Sequence, residues 1–267
     1  GAFSQAFIPI YNEYQEHKST EEIKEFINNL AGTLLSFLFI FTMIALFFAP
    51  IFIFIFAPGF YFDPIKKDLA VNVLRIMFPY LGLISLVAFA GGIQNSHQRF
   101  SLPAATPIIF NLCIIFSAFT LAPLFSIPII GLAWGVLLAG IIQLLIQLAP
   151  LSQIDRLPIP KIGLQNEGVK KVFILMLPAI IAGGVAQINL LIDTVFASLL
   201  ITGSPTWLYV SDRLIQFPLG IFAIAIGTVL LPSLSSANQR GDLTLYKEHL
   251  RKSQRLVIFL AIPSVIG

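Results

Sequence analysis

Charged and amide side chains that could bind an anion stand inside an apolar hairpin towards the end of the chain. Its two arms cover about residues 172–200 and 206–231, with a short turn between them. Ionisable groups at such depth are costly, so they usually face a protein interior or a wet cavity and carry function. An arginine there suits a phosphate group, because its planar guanidinium donates two parallel hydrogen bonds and stays protonated. The polar residues of the hairpin are Gln187, Asn189, Asp193, Asp212 and Arg213.

The spacing within the hairpin places two of these side chains at a similar depth. If the turn centres near Gly203, Asp193 lies ten residues before it and Arg213 ten residues after it. In two antiparallel helices these two residues then lie at a similar depth in the membrane. Asn189 and Asp193 share a helix face, whereas Gln187 lies on a different one. Two interpretations stay open. Arg213 and its neighbours line a hydrated cavity that binds an anion, or one of the two aspartates merely neutralises Arg213 between helices, which is costly compared with an apolar contact.

The composition places the chain in the class of helical membrane proteins. Of its 267 residues, 57% are hydrophobic and 11% are charged, whereas soluble domains carry roughly 25% charged residues. The apolar runs are continuous and exceed about 18 residues, which excludes the alternating strands of a transmembrane barrel. Enzyme motifs are absent: there is no paired His-Glu metal motif, no phosphate-binding glycine loop and no serine elbow. Cys113 is the single cysteine, so neither a disulfide nor a thiolate metal site can form within the chain.

Six full membrane spans are predicted from the apolar runs, at about residues 30–57, 71–94, 103–125, 129–148, 172–200 and 206–231. Pro50 is expected to kink the first span, and Pro79 lies inside the second. Residues 149–171 form the longest polar connection, where IPKIG and NEGVKK predict a surface helix. The chain opens with GAFSQAFIPI, typical of the end of a membrane helix, and stops within an apolar run. We therefore expect a fragment with truncated helices at both ends.

The positive charges give this arrangement an orientation. Of the 16 lysines and arginines, twelve fall in links on one side of the predicted spans, and only Lys66 and Lys67 fall in links on the other. Arg75 and Arg213 lie within spans; Arg75 is expected to extend its side chain to the headgroups. This bias predicts that the side with twelve charges is cytoplasmic, and it argues against reading the net charge of +3 as a nucleic-acid interface.

An internal repeat is also predicted. GAFSQAFIPIY and IAIGTVLLPSL, at residues 1–11 and 224–234, share a small and apolar run that ends in a proline. Ten residues past each proline comes a capping residue, Ser19 and Asp242, before a charged helical turn and a new span. The two copies are separated by six spans, so they point the same way, as in transporters built from two parallel halves.

Polar residues also gather at the cytoplasmic end of the second span, in GGIQNSHQRFSLPAATP. Gln94, Asn95 and Arg99 form a candidate cytoplasmic gate that senses lipid headgroups; the alternative is an interfacial anchor and loop cap. Two glycine pairs, Gly91–Gly92 and Gly183–Gly184, permit close helix packing or bending, and packing is the more common use.

Several stretches resemble the MurJ (MviN) family of lipid II flippases, within the multidrug/oligosaccharidyl-lipid/polysaccharide exporter superfamily. They are GAFSQAFIPIYNEY, FPYLGLISLVAFAGGIQNSHQRFSLPAATP, QINLLIDTVFAS and GSPTWLYVSDRLIQFPLGIFAIAIGTVLLPSLS. The resemblance implies a multi-pass protein of the bacterial inner membrane that moves undecaprenyl-diphosphate-linked disaccharide-peptide to the outer leaflet by alternating access. It implies two parallel lobes around a cationic cavity, with residues 1–150 in the N-terminal lobe, 151–171 as a cytoplasmic linker with the surface helix, and 172–267 opening the C-terminal lobe.

The same resemblance assigns roles to hairpin residues. Arg213, in SDRLIQFP, matches a cavity residue of the family, and Gln216 stands where members often have an acidic residue, which puts a charge pair there in doubt. Asp212, Gln187 and Asn189 complete the expected substrate-binding set. Asp193, in QINLLID, resembles one ligand of a sodium site whose other ligands lie in later spans. No cofactor or resident metal is expected, and transport is expected to draw on the membrane potential or on sodium.

The resemblance leaves alternative functions. Another exporter of the same superfamily would carry a different polyprenyl-linked glycan or a drug, and a truncated product would not transport or would act as a scaffold. The partners expected are lipid II, membrane lipids and cell-wall synthesis proteins, without nucleic acid.

Overall fold

The computed structural model of the chain describes residues 2–218, together with residues 250–251, 254–255 and 258–259. Helices make up nearly all of these described residues, and none of them lies in a strand. The chain divides into two compact units, Gly1–Leu199 and Leu200–Gly267. The expected all-α architecture is confirmed for the described residues.

Within residues 2–218 ten α-helices follow one another, with a single 3₁₀ turn at Ala122–Leu124 after the seventh. In chain order they are α1 (Ala2–His17), α2 (Thr20–Phe47), α3 (Ala49–Phe56), α4 (Pro58–Tyr61), α5 (Pro64–Met77), α6 (Pro79–Ser96), α7 (Ser101–Thr120), α8 (Pro128–Gln153), α9 (Glu167–Leu199) and α10 (Ser204–Pro218).

Five helical stretches among the described residues are long and apolar enough to cross a membrane: Thr20–Phe47, Pro64–Ser96, Ser101–Leu124, Pro128–Gln153 and Glu167–Val185. The first four match the first four predicted spans, and the fifth opens the first arm of the hairpin. The sixth predicted span, residues 206–231, is described only as far as Pro218. The second copy of the predicted repeat, with Asp242, lies outside the described residues.

Local sequence signals set the starts of two helices. At α2, Ser19 Oγ accepts from the Glu22 N–H and the Glu22 carboxylate accepts from the Ser19 N–H, a complete capping box. At α5, Asp63 Oδ1 accepts from the N–H groups of Ile65 and Lys66. The capping role predicted for Ser19 is confirmed.

Two prolines coincide with breaks in the apolar helices. Pro50 lies at the start of α3, directly after α2 ends at Phe47, and Pro79 begins α6 directly after α5. A proline has no N–H and its ring clashes with the preceding turn, so the helix breaks there. The kink expected at Pro50 is confirmed.

The principal core lies where α1, α2 and α6 meet the start of α9. Phe7 is fully buried, and its ring lies 5.3 Å from that of Tyr11, 6.3 Å from that of Phe26 and 5.3 Å from that of Phe89. A Cβ at Gly92 would come within 2.8 Å of the Phe7 ring. Gly92 therefore serves close packing, the use expected for that glycine pair.

The segment that follows α8 lies along α2, and we call residues 157–163 the strap. The Ile159 N–H donates to Asn28 Oδ1 at 2.7 Å, and the Lys161 N–H donates to the Asn28 carbonyl at 3.0 Å. The Gly163 N–H donates to Thr33 Oγ1 at 3.2 Å. The strap is thus fixed to one helix by its own backbone.

The separate surface helix predicted within residues 151–171 is wrong. Residues 154–166 are non-helical, and NEGVKK contains the start of α9, which begins at Glu167 and continues into the span. Val169 and Val172 are buried in the principal core, so the start of α9 is packed against other helices. The compact units also keep α9 with the preceding residues, whereas the predicted C-terminal lobe begins at residue 172. The assignment of the chain to lobes stays a prediction.

Candidate functional site

The second arm of the hairpin presents its arginine on the surface of α10. Arg213 is exposed, and its Nη1 donates to Gln216 Oε1 at 3.3 Å on the same helix. Its guanidinium also lies 5.0 Å from the centre of the Tyr209 ring, a cation–π contact. Asp212 is half-buried, whereas Gln216 is exposed. Both contacts are to uncharged groups, so they leave the positive charge of Arg213 free for an anion.

The first arm carries its polar residues on the exposed stretch of α9. Gln187, Asn189 and Asp193 are all exposed, and so are the apolar residues Ile188, Leu190 and Ile192 between them. No atom within 4 Å would meet a Cβ added at Gly183 or Gly184, so this pair does not serve helix packing within the described residues.

Both ends of α9, in contrast, are anchored in the first unit. Val169 and Val172 are buried at its start. Near its end, the Gly59 N–H of α4 donates to Ser198 Oγ at 3.2 Å. A Cβ at Gly59 would lie 1.7 Å from the Ser198 carbonyl oxygen, so only glycine fits there. The polar stretch with Asp193 is held between two fixed ends.

The two arms belong to different compact units. Whether Asp193 pairs with Arg213 or binds a cation stays a prediction. No group of three or more His, Cys, Asp or Glu side chains that could hold a metal ion occurs within the described residues.

The candidate gate residue Gln94 lies in a buried amide network that joins α6, α7 and α8. Gln94 Nε2 donates to the Gln147 carbonyl at 3.1 Å and to Gln147 Oε1. Gln147 Nε2 donates to Thr106 Oγ1 at 2.9 Å, and Gln143 Nε2 donates to the Thr106 carbonyl at 2.8 Å. All four residues are buried. Such interhelical bonds specify packing inside a membrane, where an unpaired amide would be costly.

Sequence reasoning missed three members of this network. The available signal was a pair of glutamines four residues apart, Gln143 and Gln147, inside the run between Arg99 and Asp155 that has no charge. Residues at this spacing share one helix face. Two amides on a single face of an apolar helix predict a polar contact with a neighbouring helix.

The other gate residues lie at the rim of the same three helices. Asn95 is half-buried, and Arg99 is exposed and donates from Nη1 to Gln153 Oε1 at 3.0 Å. The Arg99 N–H also closes the end of α6 by donating to the Gln94 carbonyl at 2.9 Å, with Gln98 in the left-handed region at φ 58°. These contacts fit a helix cap, and the gate function of the three residues stays a prediction.

His97 connects this rim to α1. Its Nε2 lies 3.0 Å from the Tyr11 hydroxyl and 3.1 Å from Gln15 Nε2, and an amide nitrogen can only donate. With Nε2 accepting from Gln15, this arrangement fits a neutral imidazole. Burial lowers the pKa of His97, and the nearby positive charges of Arg156 and Arg99 lower it further.

Comparison with known proteins assigns the whole chain to one family. A family model described as "Lipid II flippase MurJ" matches residues 1–267. A "Probable lipid II flippase MurJ" from Buchnera aphidicola is 41% identical over 266 residues, covering 100% of this chain and 52% of that protein. Its counterpart from Haemophilus influenzae is 39% identical over 280 residues, and the match covers 100% of this chain and 55% of that protein.

A solved structure gives the same result at the level of the backbone. "Lipid II flippase MurJ, inward closed conformation" matches with a TM-score of 0.80 and 28% identity, covering 100% of this chain and 54% of that one. This chain thus spans about half the length of the curated relatives it matches.

The apolar helices and the charge distribution define a multi-pass helical membrane protein. The chain belongs to the MurJ family of flippases, which confirms the resemblance seen in its sequence. It is accordingly a multi-pass protein of the bacterial inner membrane.

Proposed function

We propose that the full-length protein moves lipid II, the undecaprenyl-diphosphate-linked disaccharide-peptide, from the cytoplasmic to the outer leaflet by alternating access. The observation that carries the proposal is membership of the MurJ family along all 267 residues. In this role the protein is a transporter and not an enzyme, and its partners are lipid II, the surrounding lipids and proteins of cell-wall synthesis.

The exposed guanidinium of Arg213 is the proposed contact for the diphosphate. Gln216 and Tyr209 hold it in place without neutralising it, because neither brings a negative charge. Gln216 is uncharged, so it does not compensate the positive charge of Arg213. Asp212, Gln187 and Asn189 are proposed to complete the polar surface around the substrate.

Asp193 is proposed to bind a cation, with ligands from outside these 267 residues, or to lie in the path of the membrane potential. An exposed carboxylate on α9 has the charge for either role. The two driving forces can be separated in vesicles, where an electroneutral sodium ionophore removes only the sodium gradient and a potassium diffusion potential changes only the voltage.

Arg213→Ala in the full-length protein tests the substrate contact. We expect it to fail to support growth of a strain depleted of its own flippase, and lipid II should accumulate in the depleted cells. Arg213→Lys should restore growth only in part, because an ammonium keeps the charge but loses the planar pair of donors.

Lys67→Ala is the matched control, since Lys67 is a half-buried cation near the start of α5 that also makes a cation–π contact, over the Tyr61 ring. It should grow normally with equal protein levels. Normal growth of the Arg213→Ala strain would exclude the proposed contact. Accumulation of a different polyprenyl-linked glycan in depleted cells would instead indicate another exporter of the superfamily.

A further inference from the structure

The break between α2 and α3 leaves a backbone carbonyl without its helical donor. Within a helix the Leu46 carbonyl would accept from the N–H four residues later, but that residue is Pro50, which has none. Leu46 lies in the uncharged apolar run, where water cannot easily replace the lost bond. Arg75 of α5 supplies the donor: its Nε lies 3.2 Å from the Leu46 carbonyl oxygen.

A second break lies beside the first. Arg75 is in the last turn of α5, and Phe78 separates this helix from α6 at Pro79. The Phe78 ring lies 5.7 Å from that of Phe41 in α2 and 6.0 Å from that of Phe52 in α3. The guanidinium therefore sits where both α2 and α5 end, and a cation is favoured at the carboxyl end of a helix.

The segment beyond these breaks, residues 49–77, comprises α3, α4 and α5, and we call it the outer hairpin. Its far end is fixed to the end of α9 by the Gly59 N–H bond to Ser198 Oγ. An ion pair between Lys66 and Asp63, 3.3 Å apart, lies at its turn. Any change of angle at the two breaks would therefore move the end of α9, the helix that carries Asp193.

We propose that Arg75 is a positioning residue, the clamp of a hinge formed by the two adjacent helix breaks, which fixes the angle between the outer hairpin and the rest of the first unit. It does so by replacing the hydrogen bond that Pro50 removes. This role differs from that of an arginine that only extends its charge to the headgroups. It requires a hydrogen-bond donor at the position of Arg75 Nε, and it requires Pro50, which leaves the Leu46 carbonyl without a helical donor.

Side-chain geometry separates the two roles. The fourth atom of an arginine side chain is Nε, and the fourth heavy atom along a glutamine side chain can be its amide nitrogen. Arg75→Gln thus keeps a donor at that place without the charge, whereas Arg75→Lys keeps the charge and has carbon there. Arg75→Leu removes both.

In the full-length protein we expect the Tm to fall most for Arg75→Leu and least for Arg75→Gln, with Arg75→Lys between them. In a Pro50→Ala background, where residue 50 regains its N–H, the loss caused by Arg75→Leu should shrink to less than half. The clamp is excluded if Arg75→Lys has a higher Tm than Arg75→Gln. It is also excluded if Arg75→Leu lowers the Tm equally in the parent and in the Pro50→Ala background. Either result would indicate that Arg75 only contacts the headgroups.

A distance measurement tests the hinge itself. Spin labels at exposed Glu21, near the start of α2, and at exposed Ile65, near the start of α5, report the angle of the outer hairpin once Cys113 is replaced by alanine. We expect a broader distance distribution in Arg75→Leu than in the parent or in Arg75→Gln. Equal widths in all three would overturn the proposal even if the Tm values differ.

Discussion

Arg75 and Arg213 both lie within described helices that have apolar surroundings in the sequence, and their contacts give them different roles. Arg75 donates to a backbone carbonyl that a proline has left unpaired, so its place in the fold is explained by its own neighbours. Arg213 contacts a neutral amide and an aromatic ring and stays exposed. Among the described residues the exposed guanidinium of Arg213 contacts no carboxylate, so it is the better candidate of the two arginines for binding a diphosphate.

The candidate gate residues also divide into a buried side chain and an exposed one, and burying a neutral amide costs less free energy than burying a charge. Gln94 is one of the residues expected at a cytoplasmic gate, yet it is buried and bonded to Gln147. A glutamine can satisfy its donors and acceptor inside a helix bundle without any charge, so it holds helices together where a lysine could not. Arg99, at the exposed rim, is the member of that set that a headgroup can reach.

A pH dependence follows at the residue scale from His97. Its pKa is depressed in the folded protein by burial and by Arg156 and Arg99, so the unfolded chain binds the proton more readily. Stability is then full above the usual pKa of histidine and is lost as the pH falls through it. We expect the Tm of the parent to drop more between about pH 7.5 and about pH 5.5 than that of His97→Gln.

The matched control for this experiment is His17→Gln, because His17 is an exposed histidine at the end of α1. It should keep the acid sensitivity of the parent. Equal acid sensitivity in the parent and His97→Gln would contradict a neutral, accepting His97.

At the scale of elements, close backbone contacts fix the non-helical strap and the long α9. The strap is bonded to α2 through Asn28 and Thr33, and α9 is held at both ends with its middle exposed. A segment with its backbone groups paired resists local opening, whereas one with few buried contacts does not. The connection after α8 is thus a rigid part of the first unit.

A pair of glycines provides the test. A Cβ at Gly32 would lie 2.2 Å from the Lys161 carbonyl oxygen, whereas nothing lies within 4 Å of one at Gly183. We expect Gly32→Ala to lower the Tm and to expose the strap to proteolysis. Gly183→Ala should be neutral or stabilise by up to about 1 kcal/mol, because alanine is the better helix former. Equal Tm values for the two variants would show that the strap is not docked.

At the scale of the molecule, the unequal distribution of lysines and arginines between the links on the two sides predicts how the helices are oriented in the membrane. The link with Lys66 and Lys67 is expected on the side of the inner membrane that faces away from the cytoplasm, and the strap on the cytoplasmic side, since cytoplasmic links carry the excess of positive charge. Membership of the MurJ family agrees with a multi-pass inner-membrane protein.

Thiol labelling in cells with a permeable outer membrane checks this orientation. In a Cys113→Ala background, Ile65→Cys and Ile162→Cys place thiols at residues that are 82% and 71% exposed. A membrane-impermeant reagent should label Ile65→Cys in intact cells and Ile162→Cys only after lysis. The reverse pattern would invert the predicted topology.

The sequence by itself determined what depends on composition and local chemistry. The apolar runs defined the spans, Ser19 defined a helix start, Pro50 defined a break, and the motifs around Arg213 identified the family. Each of these follows from residues close together in the chain, because helix formation and membrane burial are set by local spacing and hydropathy.

The tertiary structure decided what depends on distant partners. Arg75 meets Leu46 29 residues away, and Gln94 meets Gln147 53 residues away. NEGVKK predicts a surface helix, but Val169 and Val172 lie in the core with α1 and α2. An amphipathic pattern predicts that one face of a helix is buried, but it does not predict which element packs against that face. The packing partner depends on the shapes of the helices and on the pairing of polar groups between them.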